Sequence, residues 1–227
     1  MKTAMAVVAL ALCLARGAAS GQIDRVSERD TNAGLKAALE RGALVAVAAL
    51  GRSDGFLGND AVRIPLPESL QRYEKMMRRF GMSKYADELI LTMNRAAEAA
   101  VPEAKALFVD AVKKMTLQDA KSILTGGNTA GTAYFRRTTS GPLRAKFLPI
   151  VQQATKKVQL ADKYNEYAAK GARFGLISER DANLDQYVTQ KALDGLFTMI
   201  GEEEKRIREN PVKAGSELLK KVFGALR

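Results

Sequence analysis

The chain predicts an all-α fold, a single-domain bundle of roughly seven to nine amphipathic helices over residues 21–227. Apolar residues recur at three- and four-residue spacing over long segments, which places them on one helical face. The two-residue alternation of a half-buried strand persists nowhere for more than a few residues. Glycine and proline fall between the helical patterns and mark their ends. The sequence has no repeat of fixed period and no low-complexity segment.

The first stretch, MKTAMAVVALALCLARGAAS, stands apart from the helices of the bundle. Lys2 is a short positive region and Ala4 to Leu14 an apolar core. Ala18-Ala19-Ser20 supplies the small residues before a cut at Gly21. The apolar run is too short to span a bilayer. A secretory signal peptide over residues 1–20 is expected, and with it an exported protein. The competing reading is a buried N-terminal helix. Cys13 follows Leu12 inside the apolar run, so it does not read as a lipoprotein cysteine. No other cysteine is present, and the mature chain can form no disulfide, thiolate nucleophile or thiolate metal site.

Histidine is absent from the whole chain. Ser-His-Asp and Cys-His catalysis and the helical zinc-protease motifs are thereby excluded. No motif calls for a cofactor or a metal. Loss of Lys2 and Arg16 with the leader takes the net charge from +11 to +9. In an exported protein that balance points to anionic envelope material, an anionic lipid or an acidic polymer. The cations are spread over many helices with little aromatic interleaving, so no specific nucleic-acid partner is expected. No later apolar run is long enough to cross a membrane, and no transmembrane segment is expected after cleavage.

Asn32 to Leu50 carries Leu35, Leu39, Leu44, Val47 and Leu50 at helical spacing, with small alanines for close packing. Gly51 to Pro67 is the longest non-helical stretch. Its turn signals, Ser53-Asp54-Gly55 and Gly58-Asn59-Asp60, flank Phe56 and Leu57. It lacks calcium-loop spacing, and the expectation is a lid whose Phe56 and Ile64 cover the core. Pro67 suits a first helical position. Glu68 to Phe80 follows with a basic outer face. From Ser83 onward Tyr85, Leu89, Ile90, Met93 and several alanines form a broad apolar face. Pro102 either breaks that helix or opens the next.

Thr116 to Arg137, TLQDAKSILTGGNTAGTAYFRR, holds the densest local signals. Thr116 and Asp119 form a capping-box pattern. Gly126 and Gly127 end the helix, in the manner of a left-handed glycine cap. Asn128 or Thr129 caps the next helix, whose apolar side holds Ala130, Ala133, Tyr134 and Phe135. A double glycine feeding a helix N-terminus exposes N–H groups able to cradle an anion. The plainer reading, a tight corner between packed helices, is favoured because a P-loop would need Lys and then Ser or Thr after its last glycine. Gly141-Pro142 reads as a break, and Pro149 as a kink or second start. Further helices are expected to end at Gly171, to run from Leu184 to Glu209, and to cover Ala214 to Leu226. Glu202-Glu203-Glu204 with Lys205, Arg206 and Arg208 reads as a solvated, salt-bridged stretch.

The candidate ligand-binding residues are Asn94, Arg95, Glu98, Gly126, Gly127, Asn128, Tyr134 and Arg136. Asn94 and Glu98 share a helical face with Arg95 beside both, in a segment otherwise apolar. They make either a charged pocket or a structural pair, and the pair is the plainer reading. No catalytic set emerges.

Several stretches in combination resemble a bacterial family of small exported helical proteins, catalogued as domain of unknown function number 4197. They are GLKAALERG (Gly34–Gly42), DGFLGNDAVRIPLP (Asp54–Pro67), MNRAAEAA (Met93–Ala100), ILTGGNTAGTAYFR (Ile123–Arg136), LDQYVTQKALDGLFTMIGEEEKRIRENP (Leu184–Pro211) and LLKKVFG (Leu218–Gly224). The resemblance implies export and an all-helical domain, and it lends no catalytic residue. Its pattern has an acidic residue where this chain has Asn128, so no acid or metal role carries to that position.

Two functions are in view. One is a non-enzymatic envelope protein that binds a partner or an apolar or anionic ligand. Its basic C-terminal segment either lies on an anionic membrane or packs into the core. The alternative is a carboxylate-dependent enzyme cleaving cell-wall glycan, with Glu98 or Asp119 as the acid. The absence of tryptophan, on which sugar rings commonly stack, weighs against it.

Overall fold

The computed structural model describes residues 28–79, 83–156 and 183–210. It is helical, with no strand among the described residues. In chain order these are α1 (Glu28–Leu50), α2 (Glu68–Arg79), α3 (Ser83–Ala100), a 3-10 turn (Val101–Glu103), α4 (Ala104–Lys114), α5 (Leu117–Thr125), α6 (Ala130–Thr155) and α7 (Leu184–Glu209). The patterns expected at Leu160–Gly171, Ser178–Asp181 and Ala214–Leu226 lie outside the described residues.

α7 lies along both α6 and α1, α3 packs on α6, and α1 on α4. The faces that meet are those the apolar spacing marks. Leu35, Ala43, Ala46 and Leu50 of α1, Leu89, Met93 and Ala97 of α3, and Val188, Ala192 and Leu196 of α7 are fully buried in one apolar cluster. At its centre Phe108 of α4 meets Phe135 of α6 and Phe197 of α7 edge to face, with ring centroids 4.9 and 6.3 Å away. Edge-to-face rings add about 0.5–1.5 kcal/mol beyond the area they bury. Tyr85, expected on the apolar face of α3, is instead exposed at the start of that helix.

α6 overturns the expectation of a break. It runs unbroken through Gly141-Pro142 and through Pro149, so the count of roughly seven to nine helices divided this segment once too often. Both prolines are exposed and stand two turns apart on the solvent side. The missing N–H groups therefore release carbonyls that water can reach, and the helix need not end. On the inner face Leu143, Phe147 and Val151 are fully buried across both sites. Pro102 lies in the 3-10 turn, which joins α3 to α4 with right-handed helical backbone at both of its ends.

The loop from Gly51 to Pro67 is the lid that its sequence predicts. Phe56 and Ile64 have no exposed surface, and Val62 and Leu66 are buried beside them. Phe56 and Val62 lie over Gly195 of α7, where an added Cβ would come within 2.8 Å of the Phe56 ring and 3.2 Å of Val62 Cβ. The Tyr187 hydroxyl of α7 donates to the Pro65 carbonyl at 3.1 Å. Pro67 sits one residue before α2, and its carbonyl accepts from Leu70 N and Gln71 N.

Candidate functional site

The polar residues of α3 are brought together and turned onto the loop. Asn94 is fully buried. Its Oδ1 accepts the Ile64 N–H at 2.9 Å, and its Nδ2 donates to the Ile64 carbonyl at 2.9 Å and to the Ile90 carbonyl at 2.8 Å. The side chain thus imitates one residue of a neighbouring strand and satisfies a backbone that has none. Glu98 is 4 % exposed. Its Oε1 accepts from Phe56 N at 3.0 Å and Leu57 N at 3.2 Å, and its Oε2 accepts from Arg95 Nη1 at 2.6 Å. Arg95 reaches on to Asp54 Oδ1 at 2.8 Å. Asp54 has φ 62°, the left-handed region, which an Asp can adopt more readily than most residues. Glu98 first, and Asp54 second, hold the Arg95 guanidinium above its ordinary pKa.

A second carboxylate does the same for α6. Glu204 of α7 is 6 % exposed. Its Oε1 accepts from Gly131 N at 2.9 Å, and its Oε2 from Thr132 N and the Thr132 hydroxyl, both at 2.8 Å. Arg208, one turn further along α7, donates to Glu204 Oε1 from Nε at 3.1 Å and from Nη2 at 2.8 Å. Arg208 Nη2 also donates to the Ile123 carbonyl near the end of α5, at 2.9 Å. One ion pair therefore joins the negative end of α5 and the positive end of α6 to α7.

This answers the anion reading of the double glycine. The N-terminus of α6 does hold an anion, and that anion is the chain's own Glu204. Gly126, Gly127, Asn128 and Thr129 are exposed. Gly126 ends α5 with φ −83° and ψ 176°, an extended conformation and not the expected left-handed cap. It is needed for closeness, since a Cβ would stand 2.7 Å from Ala130 Cβ and 2.8 Å from the Ser122 carbonyl. Gly127 faces open space. Thr129 occupies the cap position of α6, but no side-chain cap bond forms there, because Glu204 takes the N–H groups of the first turn from across the helix interface.

Tyr134 is buried, and its hydroxyl donates to the Ala111 carbonyl at 2.7 Å. Burial is the main cause that pushes its pKa upward. Arg136 is exposed, stacks over the Phe197 ring at 4.6 Å and meets Asp194 at 3.4 Å. Ala133, expected on the apolar side of α6, is exposed, while Phe135 is fully buried. The eight candidate residues therefore divide among the α3 clasp, the open corner and two sides of α6. They do not converge on one pocket.

Thr116 and Asp119 form the capping box that the sequence predicts. The Thr116 hydroxyl accepts from Asp119 N at 3.1 Å, and Thr116 N donates back to Asp119 Oδ2 at 3.2 Å. The Thr116 hydroxyl, its backbone N–H and then Arg137 lower the Asp119 pKa.

Sequence reasoning missed Glu204, Arg208 and Gly131. Glu203 and Glu204, read there as solvated, are buried, and only Glu202 of the three lies in solvent. The four-residue spacing of Glu204 and Arg208 was visible. The burial was not, because charged residues surround both, with Ile207 the one apolar residue between Glu202 and Glu209. A crevice of about 10 Å³ lies against this pair, lined by Leu35, Leu39, Gly42 and Ile207 among others. A space of that size admits at most about one water. A larger surface groove of about 310 Å³ runs between α4 and α6, past Leu107, Asp110, Lys114, Asp119, Tyr134 and Arg137.

No described group of three or more Asp, Glu, His or Cys side chains could hold a metal ion, and no described helix is long and apolar enough to cross a membrane. No curated protein and no solved structure matches the chain. A family model does match, over residues 25–224, which takes in every described helix. The resemblance carried by the loop, the double-glycine stretch and α7 is thereby established, and the chain belongs to the family described as Protein of unknown function (DUF4197).

Proposed function

We propose that the chain is an exported helical protein of the bacterial envelope, periplasmic after removal of residues 1–20, that acts by binding anionic envelope material and not by catalysis. Residues 21–227 form its single domain in this reading. One observation carries the non-catalytic part. The buried acids among the described residues, Glu98, Glu203 and Glu204, are all engaged. Glu98 holds two backbone N–H groups and Arg95, Glu204 holds the start of α6 and Arg208, and Glu203 pairs with Arg206. A general acid needs a carboxyl that can be protonated and aimed at a substrate. The carboxylates of Glu98 and Glu204 are instead turned onto backbone N–H groups and an arginine of the chain itself. The binding part is supported by the excess of cations, +9 after the leader.

The test uses residues 21–227, purified from an envelope fraction. Retention on anionic lipid or acidic polymer is expected at low salt, with release as screening rises toward about 1 M. Absence of retention on both at about 10 mM salt overturns the reading. So does cell-wall hydrolysis that Glu98→Gln abolishes.

A further inference from the structure

The positive charge is not spread evenly along the chain. Residues 104–156, which make up α4, α5 and α6, contain nine lysines and arginines and only two acids, Asp110 and Asp119. They therefore account for +7 of the full chain's +11. At the turn from α4 into α5 this charge meets an apolar side chain. Leu117 opens α5 and is 69 % exposed, the most exposed large hydrophobic residue among those described. Lys113 and Lys114 end α4 just before it, and Lys121 lies one turn after it. Lys113, Lys114 and Lys121 are all exposed, and Lys113 and Lys121 carry no ion pair among the described residues. Lys114 pairs with Asp110 at 2.7 Å beside the groove that Arg137 also lines.

We infer that the α4–α5 corner is the surface that meets an anionic lipid bilayer, with Leu117 entering the interface and Lys113, Lys114 and Lys121 lying among the head groups. The inference rests on the proposed binding of anionic envelope material and names its partner. A single exposed leucine is ordinary on a protein surface. A leucine with three exposed lysines within four residues of it along the chain is different, because the two demands are met together by a layer that is anionic outside and apolar just beneath. A hydrophilic acidic polymer would use the lysines and leave Leu117 in water.

The chain has no tryptophan, so Leu117→Trp gives a reporter with no background. The probes are vesicles of phosphatidylcholine with about 30 % phosphatidylglycerol, vesicles of phosphatidylcholine alone, and immobilised polyglutamate. The expected result is a blue shift of the reporter emission with the anionic vesicles only. The triple variant Lys113→Glu, Lys114→Glu, Lys121→Glu should lose at least about tenfold in vesicle partition. The matched triple Arg52→Glu, Arg63→Glu, Lys84→Glu changes the net charge equally at exposed sites elsewhere, and should lose less than about threefold. Leu117→Ser should weaken vesicle binding and leave polyglutamate retention unchanged. Urea midpoints of all variants establish that each is folded. Equal loss in both triples overturns the inference, since net charge alone would then explain binding. Retention on polyglutamate without vesicle binding overturns it and leaves the proposed function standing. Binding to neither probe overturns both.

Discussion

Two buried carboxylates hold this molecule together, and they do so for different kinds of backbone. Glu98 holds a loop, and Glu204 holds a helix end. The loop has no ladder of its own to satisfy Phe56 N, Leu57 N and Ile64, so α3 supplies side-chain acceptors and an amide in place of a strand. The helix end has ordered N–H groups and a dipole, so one carboxylate at the right height suffices. The counter-ions differ in the same sense. The Arg95 side chain is 38 % exposed, while that of Arg208 is 11 % exposed and spans to the Ile123 carbonyl. Removal of Glu98 leaves its arginine in contact with water, whereas removal of Glu204 takes the carboxylate from an arginine that is only 11 % exposed.

The largest effect is therefore expected at Glu204. Glu204→Ala should cost about 3–5 kcal/mol, the range for breaking a buried ion pair from one side. Urea denaturation of residues 21–227 measures it, and the helices that lose anchorage are the α5 end and the α6 start. A cost below that of Glu98→Ala would reverse the comparison. Glu98→Ala is expected to cost about 2 kcal/mol, chiefly from the N–H groups of Phe56 and Leu57 left unpaired. Its mark is local: amide exchange should speed up across residues 54–64 while α6 stays protected.

Thr116→Ala, which removes an exposed cap at the start of α5, should cost about 1 kcal/mol. Its partner Asp119 has a folded-state pKa below the ordinary value of about 3.8. The stability it contributes is thus present above that value and is lost as pH falls through the lowered one. Comparison of the urea midpoint with that of Asp119→Asn, from neutral pH down into that range, should show the gap closing as acid is added. The smallest effect is expected at Gly127→Ala, within about 0.5 kcal/mol, because a Cβ there meets nothing within 4 Å. Gly131→Ala should instead be severe, since its Cβ would run into Leu39 and the Glu204 carboxylate. A large loss at Gly127 would show that the corner does more than turn the chain.

The sequence makes one of these two clasps visible and hides the other, and the reason is contrast. Asn94, Arg95 and Glu98 stand out because Leu, Ile, Met and Ala surround them. Glu204 and Arg208 lie in a run from Glu202 to Glu209 in which Ile207 is the one apolar residue, so periodicity gives little sign of which side faces inward. The capping box of α5 is legible because both partners are three residues apart. The cap of α6 is not, because Glu204 acts from more than seventy positions away. The prolines of α6 misled for a related reason. A proline's effect depends on whether its freed carbonyl meets water or protein, and that is a property of the assembled bundle.

What the sequence by itself determines is therefore local: helix content, most helix starts and stops, the lid with Phe56 and Ile64, the basic balance and the absence of histidine. Each follows from spacing or from residue chemistry within a few turns. Tertiary structure alone decides that the α6 N-terminus is filled by Glu204, that α6 continues past Pro142 and Pro149, and that Leu117 is left in solvent. These depend on which groups meet across helix interfaces, and a buried charge is worth keeping only where a partner from a distant part of the chain is waiting for it.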